Sequence, residues 1–337
     1  MHIAIVGAGL AGLICARQLQ EQGNQVIVYE KNDEISGRMR TRQTELGGFD
    51  FGAQYFTATS PAFKKAITVW RKAKWVSPWE GKLVRLESGR IVTADSEQSK
   101  QRFIGVPGMS TLAQQLSAGL DIRTEQMVKR IEAFGDHQWL LKIEADTVPV
   151  EASAGPFDAV ILAIPAEQAA SLLTVAPKLA AEAERARYAP CWALMMGFQD
   201  PLPLSYDGAW IKSSRLSWIA RDASKEQRRA GEHWVAHASA DWSIEHFDDD
   251  DERAKEKLLK AFHDATGSFV QPIYATVHRW RYAQAVHTIA GNCLWDANLR
   301  IGACGDWFEA GLEGSGRVEN AFLSGTAMAE ALRLAVH

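Results

Sequence analysis

The residues whose types and spacing can do chemistry begin at the seventh position. Gly7-Ala8-Gly9-Leu10-Ala11-Gly12 follows an apolar run at residues 2–6, and Glu30 closes a second β-rich run at residues 26–29. Gly7 permits a tight turn, Gly9 lets the backbone approach a pyrophosphate, and Gly12 lets helix and strand pack closely. A helix opening on that turn points its free N–H groups at the phosphates, and Glu30 can accept from the ribose hydroxyls of an adenosine. A carboxylate there repels a 2′-phosphate, which Lys31 offsets only in part. NADP is therefore not expected in this site, while FAD and NAD both remain open.

Two further stretches look built to meet such a ligand. In Ser36-Gly37-Arg38-Met39-Arg40, Gly37 admits the backbone beneath a pyrophosphate, and Arg38 or Arg40 can neutralise a phosphate charge. In Phe51-Gly52-Ala53-Gln54-Tyr55-Phe56, Gly52 and Ala53 let a flat ring lie against the chain, with Gln54 and Tyr55 offering polar atoms beside it. Near the C-terminus a short strand at 299–304 ends on Gly305-Asp306. Gly314-Ser315-Gly316 then opens a helix over 317–334, whose first N–H groups favour partial negative charge.

Two other groups are decoys. His233 and His237 have the spacing of a helical metal pair, but HWVAHAS reads as strand and would hold them about 13 Å apart, so no metal is expected. The acidic run 248–252 precedes an amphipathic helix, where acids belong in the first turn.

The elements that must position these residues follow from periodicity. Residues 13–22 read as a helix stopped by Gly23, and 61–75 as a Trp-rich helix. Residues 83–93 alternate like a hairpin turning at Ser88-Gly89, and Ser110 caps a helix that Gly119 ends. A strand begins at Gln126-Met127-Val128, and 129–133, 139–145 and 147–150 form a meander. Residues 158–164 are a fully apolar strand of the kind buried in parallel sheets. Alternating strands at 191–198, 209–212, 216–221, 234–239 and 273–280 then predict an antiparallel sheet. Most tryptophans between 191 and 307 are expected to pack that sheet's core.

Composition narrows the class. A length of 337 residues suggests about two domains, and 47% hydrophobic with 23% charged residues is ordinary for a soluble protein. A net charge of −4 gives no reason to expect nucleic acid or an anionic membrane as partner. No signal peptide is visible, and the best apolar stretch, 160–175, is broken by Pro165, Glu167 and Gln168. Cys15, Cys191, Cys293 and Cys304 are scattered without a CxxC and read as reduced core thiols of a cytoplasmic protein.

The opening fingerprint with Gly37-Arg38-Met39 and Phe51-Gly52-Ala53-Gln54-Tyr55-Phe56 resembles the flavin amine-oxidase superfamily, and within it the bacterial renalases. Gly105-Val106-Pro107-Gly108-Met109-Ser110, Ser217-Trp218-Ile219-Ala220-Arg221, His278-Arg279-Trp280-Arg281-Tyr282-Ala283, Cys304-Gly305-Asp306-Trp307 and Arg317-Val318-Glu319 extend the likeness over nearly the whole chain. It implies an α/β fold with a Rossmann-like FAD-binding domain of the GR2 type, discontinuous over 1–60, 100–165 and 290–337. A second α+β substrate domain, on an antiparallel sheet, would take 61–99 and 166–289. It further implies that FAD is non-covalent, no cysteine standing where linked members have one. Val128 would offer backbone to the adenine, Asp306 would bind the ribityl–phosphate chain, and the helix opening at Arg317 and Val318 would face the flavin pyrimidine. The stretch 307–316 is longer than in bacterial renalases, and Asn320 replaces a usual glycine.

With one dinucleotide fingerprint, the electron donor must bind in the second domain and the acceptor can be O2. Amine oxidases of the superfamily commonly carry a lysine facing the flavin from the region before the C-terminal segment. Residues 272–298 have none and offer His278, Arg279, Arg281 and His287, a cationic rim suited to phosphates. The resemblance to renalase implies oxidation of 2- or 6-dihydro isomers of NAD(P)H to NAD(P)+ with H2O2 as co-product. Gln54, Tyr55, Trp280 and Arg281 are the expected pocket residues. An amine oxidase is the alternative, and a flavin-bound sensor without turnover a second. The oligomeric state is left open.

Overall fold

The computed structural model describes residues 1–92, 100–145, 148–312 and 316–336. Thr93, Thr147, Gly314 and Ser315, which enter three of the expectations above, lie outside the described residues.

The first sheet runs Leu294–Asp296, Ile301–Ala303, Ala159–Leu162, His2–Val6, Gln25–Tyr29, Asp121–Arg123 across its six strands. Its pairings are parallel except at the edge strand Leu294–Asp296. Val6 sits level with both Tyr29 and Leu162, which brings the C-terminal strand ends to one line. That edge is where open parallel sheets bind ligands. The helix Leu10–Glu21 begins three residues earlier than expected, because Gly9 takes an extended cap geometry and Gly12 falls inside the first turn. Gly23 at φ +87° and the bond from Asn24 N–H to Leu19 O (3.1 Å) close it. The C-terminal helix Val318–Val336 packs on it so closely that a Cβ on Gly325 would run into Ala11 O.

The second sheet has seven strands, ordered Tyr274–His287, Arg187–Phe198, Glu232–Ala238, Leu216–Arg221, Gly208–Lys212, Leu83–Glu87, Arg90–Val92. All pairings are antiparallel except Gly208–Lys212 with Leu83–Glu87, which is parallel. A hairpin forces antiparallel pairing, whereas the long excursion between these two strands leaves direction free. Helix Asp251–Thr266 covers one face, burying Leu258, Ala261 and Phe262 against Trp192, Trp234 and Met196. Asp250 caps it by accepting from Arg253 N–H (2.8 Å), so the acidic run is a helix start. The other face meets Phe49 and Phe51 through Ala193, Met195 and Val235. Residues 49–51 are thereby pinned against the second sheet.

A three-stranded meander, Gln126–Phe134, Gln138–Ala145 and Val148–Phe157, packs on the first sheet together with helices Ala166–Leu172 and Pro177–Ala183. Trp192, Trp234 and Trp307 are fully buried packing residues. Cys15 converges in one core with the distant Cys293 and Cys304, and all four cysteines are free. Among the described residues, no helix is long and apolar enough to cross a membrane and no group of His, Cys, Asp and Glu could hold a metal. His233 and His237 lie on the strand Glu232–Ala238.

Candidate functional site

Each glycine of the opening turn has a separate steric reason. Gly7 sits at φ +105°, and a Cβ there would lie 2.5 Å from Ala163 O. A Cβ on Gly12 would run into Gly7 O, whereas one on Gly9 would meet nothing within 4 Å. Gly9 therefore faces open space at the start of a helix, the cradle a pyrophosphate needs. Ala8 N–H donates to Glu30 Oε2 (3.0 Å), and Asn32 donates from its backbone (3.0 Å) and side chain (2.6 Å) to Oε1. These bonds hold the buried Glu30 carboxylate beside the turn, while Lys31 is exposed.

The second glycine loop lies on the first. Ser36 N–H donates to Ala8 O (3.0 Å), and a Cβ on Gly37 would stand 3.4 Å from Gly9 Cα. Ser36 and Gly37 both take left-handed backbone, and Met39 anchors the loop in the core. The strand Gln126–Phe134 enters alongside, with Gln126 N–H donating to Glu30 O (2.9 Å). A register shift follows between Val128 and Arg130. Val128 is buried.

Arg38 and Asp306 form a two-pronged ion pair, Nη1 to Oδ2 at 2.7 Å and Nη2 to Oδ1 at 2.6 Å. The Tyr188 hydroxyl donates to the same carboxylate (2.8 Å), and Arg38 Nη1 also reaches Ala283 O (3.2 Å). Burial and the Asp306 charge hold the Tyr188 phenol well above its usual pKa, so it stays a donor. Gly305 N–H donates to Ser324 Oγ (3.0 Å), tying this strand end to the C-terminal helix. Arg40 instead pairs with Asp33 and Glu34 at the surface. Tyr188 carried no sequence signal, since one tyrosine at the start of a strand is unremarkable.

Gly52 lies against that loop: a Cβ on it would run into Arg38 O, and Ala53 N–H donates to the same oxygen (2.8 Å). The Trp280 ring borders Gly52, stacks on Phe51 (centroids 5.1 Å apart) and donates from Nε1 to Phe51 O (3.0 Å). Tyr55 joins a different aromatic group, with Trp218 at 5.5 Å and Trp79 at 6.0 Å. The structure thus brings Gly52, Ala53 and Trp280 together and leaves Arg281 out. Arg281 sits over the Phe247 ring, 4.5 Å from its centroid, as does Arg279 at 5.0 Å. His278 lies with Phe51 and Trp280. The cationic rim expected along 278–287 is not formed, because alternation along Tyr274–His287 sends the arginines to the other side of the strand.

Sequence reasoning missed a buried ion cluster behind Gln54. Lys225 Nζ lies 3.0 Å from Asp50 Oδ2, bonds Asp222, and reaches Gln54 Oε1 at 3.4 Å. Arg228 Nη2 is 2.5 Å from Asp50 Oδ2. Asp50 Oδ1 accepts from Thr41 (2.7 Å) and Met109 N–H (3.0 Å), and Asp50 N–H donates to Asp222 Oδ2 (2.5 Å). Gln54 Nε2 donates back to Asp50 O, so both ends of its amide are engaged by the protein. Burial would raise the Asp50 carboxyl, but Lys225 and Arg228 outweigh it and hold its pKa below the usual value. Burial and the Asp50 charge leave Asp222 raised despite Lys225. His237, hydrogen-bonded to Phe51 O (3.2 Å), is pushed down to about 4 by burial and by Lys225. His278 is also near 4, from burial and then Arg42 and Arg40. The run 222–229 reads as a polar surface loop, and the one hint was an acid between two aromatics, Phe49-Asp50-Phe51.

The open face at Gly9, the oriented Glu30 and the close approach at Gly52 fit a dinucleotide with a flat ring. Known proteins agree with that geometry. A model of NAD(P)-binding Rossmann-like domains matches residues 5–72, and one of flavin-containing amine oxidoreductases matches residues 87–333. Over 52 residues the chain is 44% identical to a 4,4'-diapophytoene desaturase of Staphylococcus haemolyticus, which is 15% of this chain and 10% of that protein's length. Among solved structures, a candidate protoporphyrinogen oxidase from Exiguobacterium sp. 255-15 superposes with a TM-score of 0.74 at 16% identity, over 99% of this chain and 98% of that one. Putrescine oxidase bound to putrescine gives 0.71 at 13%, over 99% of both chains. An oxidoreductase from Methanosarcina mazei gives 0.71 at 14%, over 98% of this chain and 100% of that one. These likenesses share the fold. The chain belongs to the flavin-containing amine oxidoreductase family.

Proposed function

We propose that the chain is an oxidase that takes hydride from a 2- or 6-dihydro isomer of NAD(P)H, releasing NAD(P)+. FAD, when bound, supplies the hydride acceptor and passes the electrons to O2, giving H2O2. The observation that carries this reading is the charge around residues 50–54. Both carboxylates there, Asp50 and Asp222, are compensated by Lys225 and Arg228, and His237 and His278 are held near pKa 4. Nothing in that cluster offers a free carboxylate to a cationic amine. A dihydropyridine becomes an aromatic pyridinium by losing hydride alone, so it needs no base.

In this reading Gly52 and Trp280 orient the flat rings, and Tyr55 forms an aromatic wall. Gln54, locked by Lys225, fixes the backbone of 52–54 as a positioning residue. Arg38 and Asp306 are set at the cofactor's phosphate and ribityl end, and Val128, Arg317 and Val318 at its two ends. The division into 1–60, 100–165 and 290–337 against 61–99 and 166–289, and a reducing cytoplasmic setting for the free thiols, belong to the same proposal.

Amine oxidation is the second reading, favoured by the family's description and by the likeness to putrescine oxidase. Anaerobic mixing of the FAD-loaded protein with each donor class separates them: the first reading expects a dihydro isomer, not an amine, to bleach the flavin.

A further inference from the structure

We propose that a cationic groove beside the start of the C-terminal helix is a phosphoryl-binding site, and that it holds the diphosphate of the donor; this second clause rests on the dinucleotide reading above. The groove has a volume of about 410 Å³ and is lined by Lys64, Arg71, Lys100 and Arg317, with the hydroxyls of Thr57 and Thr59. No carboxylate lines it among the described residues. Its volume is in the range of small-ligand pockets.

Three observations point to an anion. Lys64 and Arg71 stand seven residues apart on the helix Pro61–Lys72, hence on one face, and Arg317 closes on them from another element. Glu319, two residues beyond Arg317, is buried and accepts from Thr59 N–H (2.9 Å) and Ser60 N–H (2.6 Å). Its carboxylate is turned to those backbone donors and does not line the groove. The chain as a whole carries −4, so cations gathered in one concavity run against the overall balance. Like charges brought together this way favour a multivalent anion, and the arginine forks suit phosphoryl oxygens.

The groove also adjoins the proposed reaction site. Thr57 is two residues beyond Tyr55, on the segment that carries Gly52, and Arg317 opens the helix whose Ser324 holds Gly305. A donor with its ring at Gly52 could extend its phosphates along this path. Lys64, Arg71 and Arg317 would repel a polyamine.

The test is calorimetric titration of the FAD-loaded protein with inorganic pyrophosphate, on the wild type, on Lys64→Gln/Arg71→Gln, and on Lys65→Gln as a control outside the groove. The proposal expects wild-type binding that weakens with salt, at least tenfold weaker binding in the double variant, and no change in the control. It also expects pyrophosphate to compete with a dihydro isomer during flavin reduction. Equal affinity in wild type and double variant, or no binding at all, would overturn the site. Binding that depends on Lys64 and Arg71 without competition would overturn its role as a donor subsite. If no dihydro isomer bleaches the flavin, yet pyrophosphate binding still depends on these two cations, the anion site stands and the dinucleotide reading falls.

Discussion

Lys225 Nζ and Asp50 Oδ2 meet 3.0 Å apart, with both side chains shut off from solvent, although 175 positions separate them in the chain. Asp50 ends the strand Gly48–Asp50 that leads into Gly52, and Lys225 follows the second sheet's strand Leu216–Arg221 by one short turn. The pair therefore fastens the segment that is proposed to face the cofactor to the sheet that is proposed to hold the donor.

Replacing Lys225 with Met should cost about 3–5 kcal/mol, because it leaves Asp222 buried without its cation and Asp50 with Arg228 alone. Adding Asp222→Asn to the same chain should recover part of the loss. Urea unfolding of the three proteins checks this, and a loss below about 1 kcal/mol for Lys225→Met would show the cluster to be screened.

Gly9→Ala and Gly12→Ala should part company. The Gly9 variant has room for its methyl, so the apoprotein should melt close to wild type while FAD affinity falls at least tenfold. The Gly12 variant drives a methyl into Gly7 O and should lose both stability and cofactor. Thermal melts of apoprotein and FAD titrations, run side by side, distinguish these outcomes.

Acidification should weaken the fold through His237. Its folded pKa of about 4 lies below the unfolded 6.5, so between those values the unfolded chain binds the extra proton. Stability from this group is full above pH 6.5 and is lost as pH falls toward 4, by about 3 kcal/mol at most. His278 adds in the same direction. Unfolding free energies at pH 7 and 4.5 should differ less in His237→Gln than in wild type.

Glu319→Gln should destabilise by about 1.5–3 kcal/mol, since one buried carboxylate accepts from both Thr59 and Ser60 N–H groups. The loss should be visible in the unfolding midpoint.

What was legible in the sequence was local. The glycine turn, Glu30 and the Gly23 stop lie within thirty residues, and each glycine answers to a steric demand set by near neighbours. Arg38 or Arg40 was expected to meet a phosphate, whereas the pairing of Arg38 with Asp306, 268 positions away, is announced by nothing in either segment. Arg281 was misplaced because alternation gives two faces without saying which one meets Phe51. Lys225 was hidden because a buried charge looks, in sequence, like any other residue of a polar loop. The parallel pairing of Gly208–Lys212 with Leu83–Glu87 escaped for the same reason: register between distant strands is set by tertiary packing.

The central claim is the identity of the electron donor, and anaerobic stopped-flow bleaching of the FAD-loaded protein tests it most directly. Separate mixing with 2- and 6-dihydro isomers of NAD(P)H, ordinary NADH and a panel of amines reads flavin reduction against each. The account predicts fast bleaching by a dihydro isomer, slow or no bleaching by NADH and amines, and one equivalent of peroxide on admitting air. Fast bleaching by an amine, with the isomers inert, would contradict it.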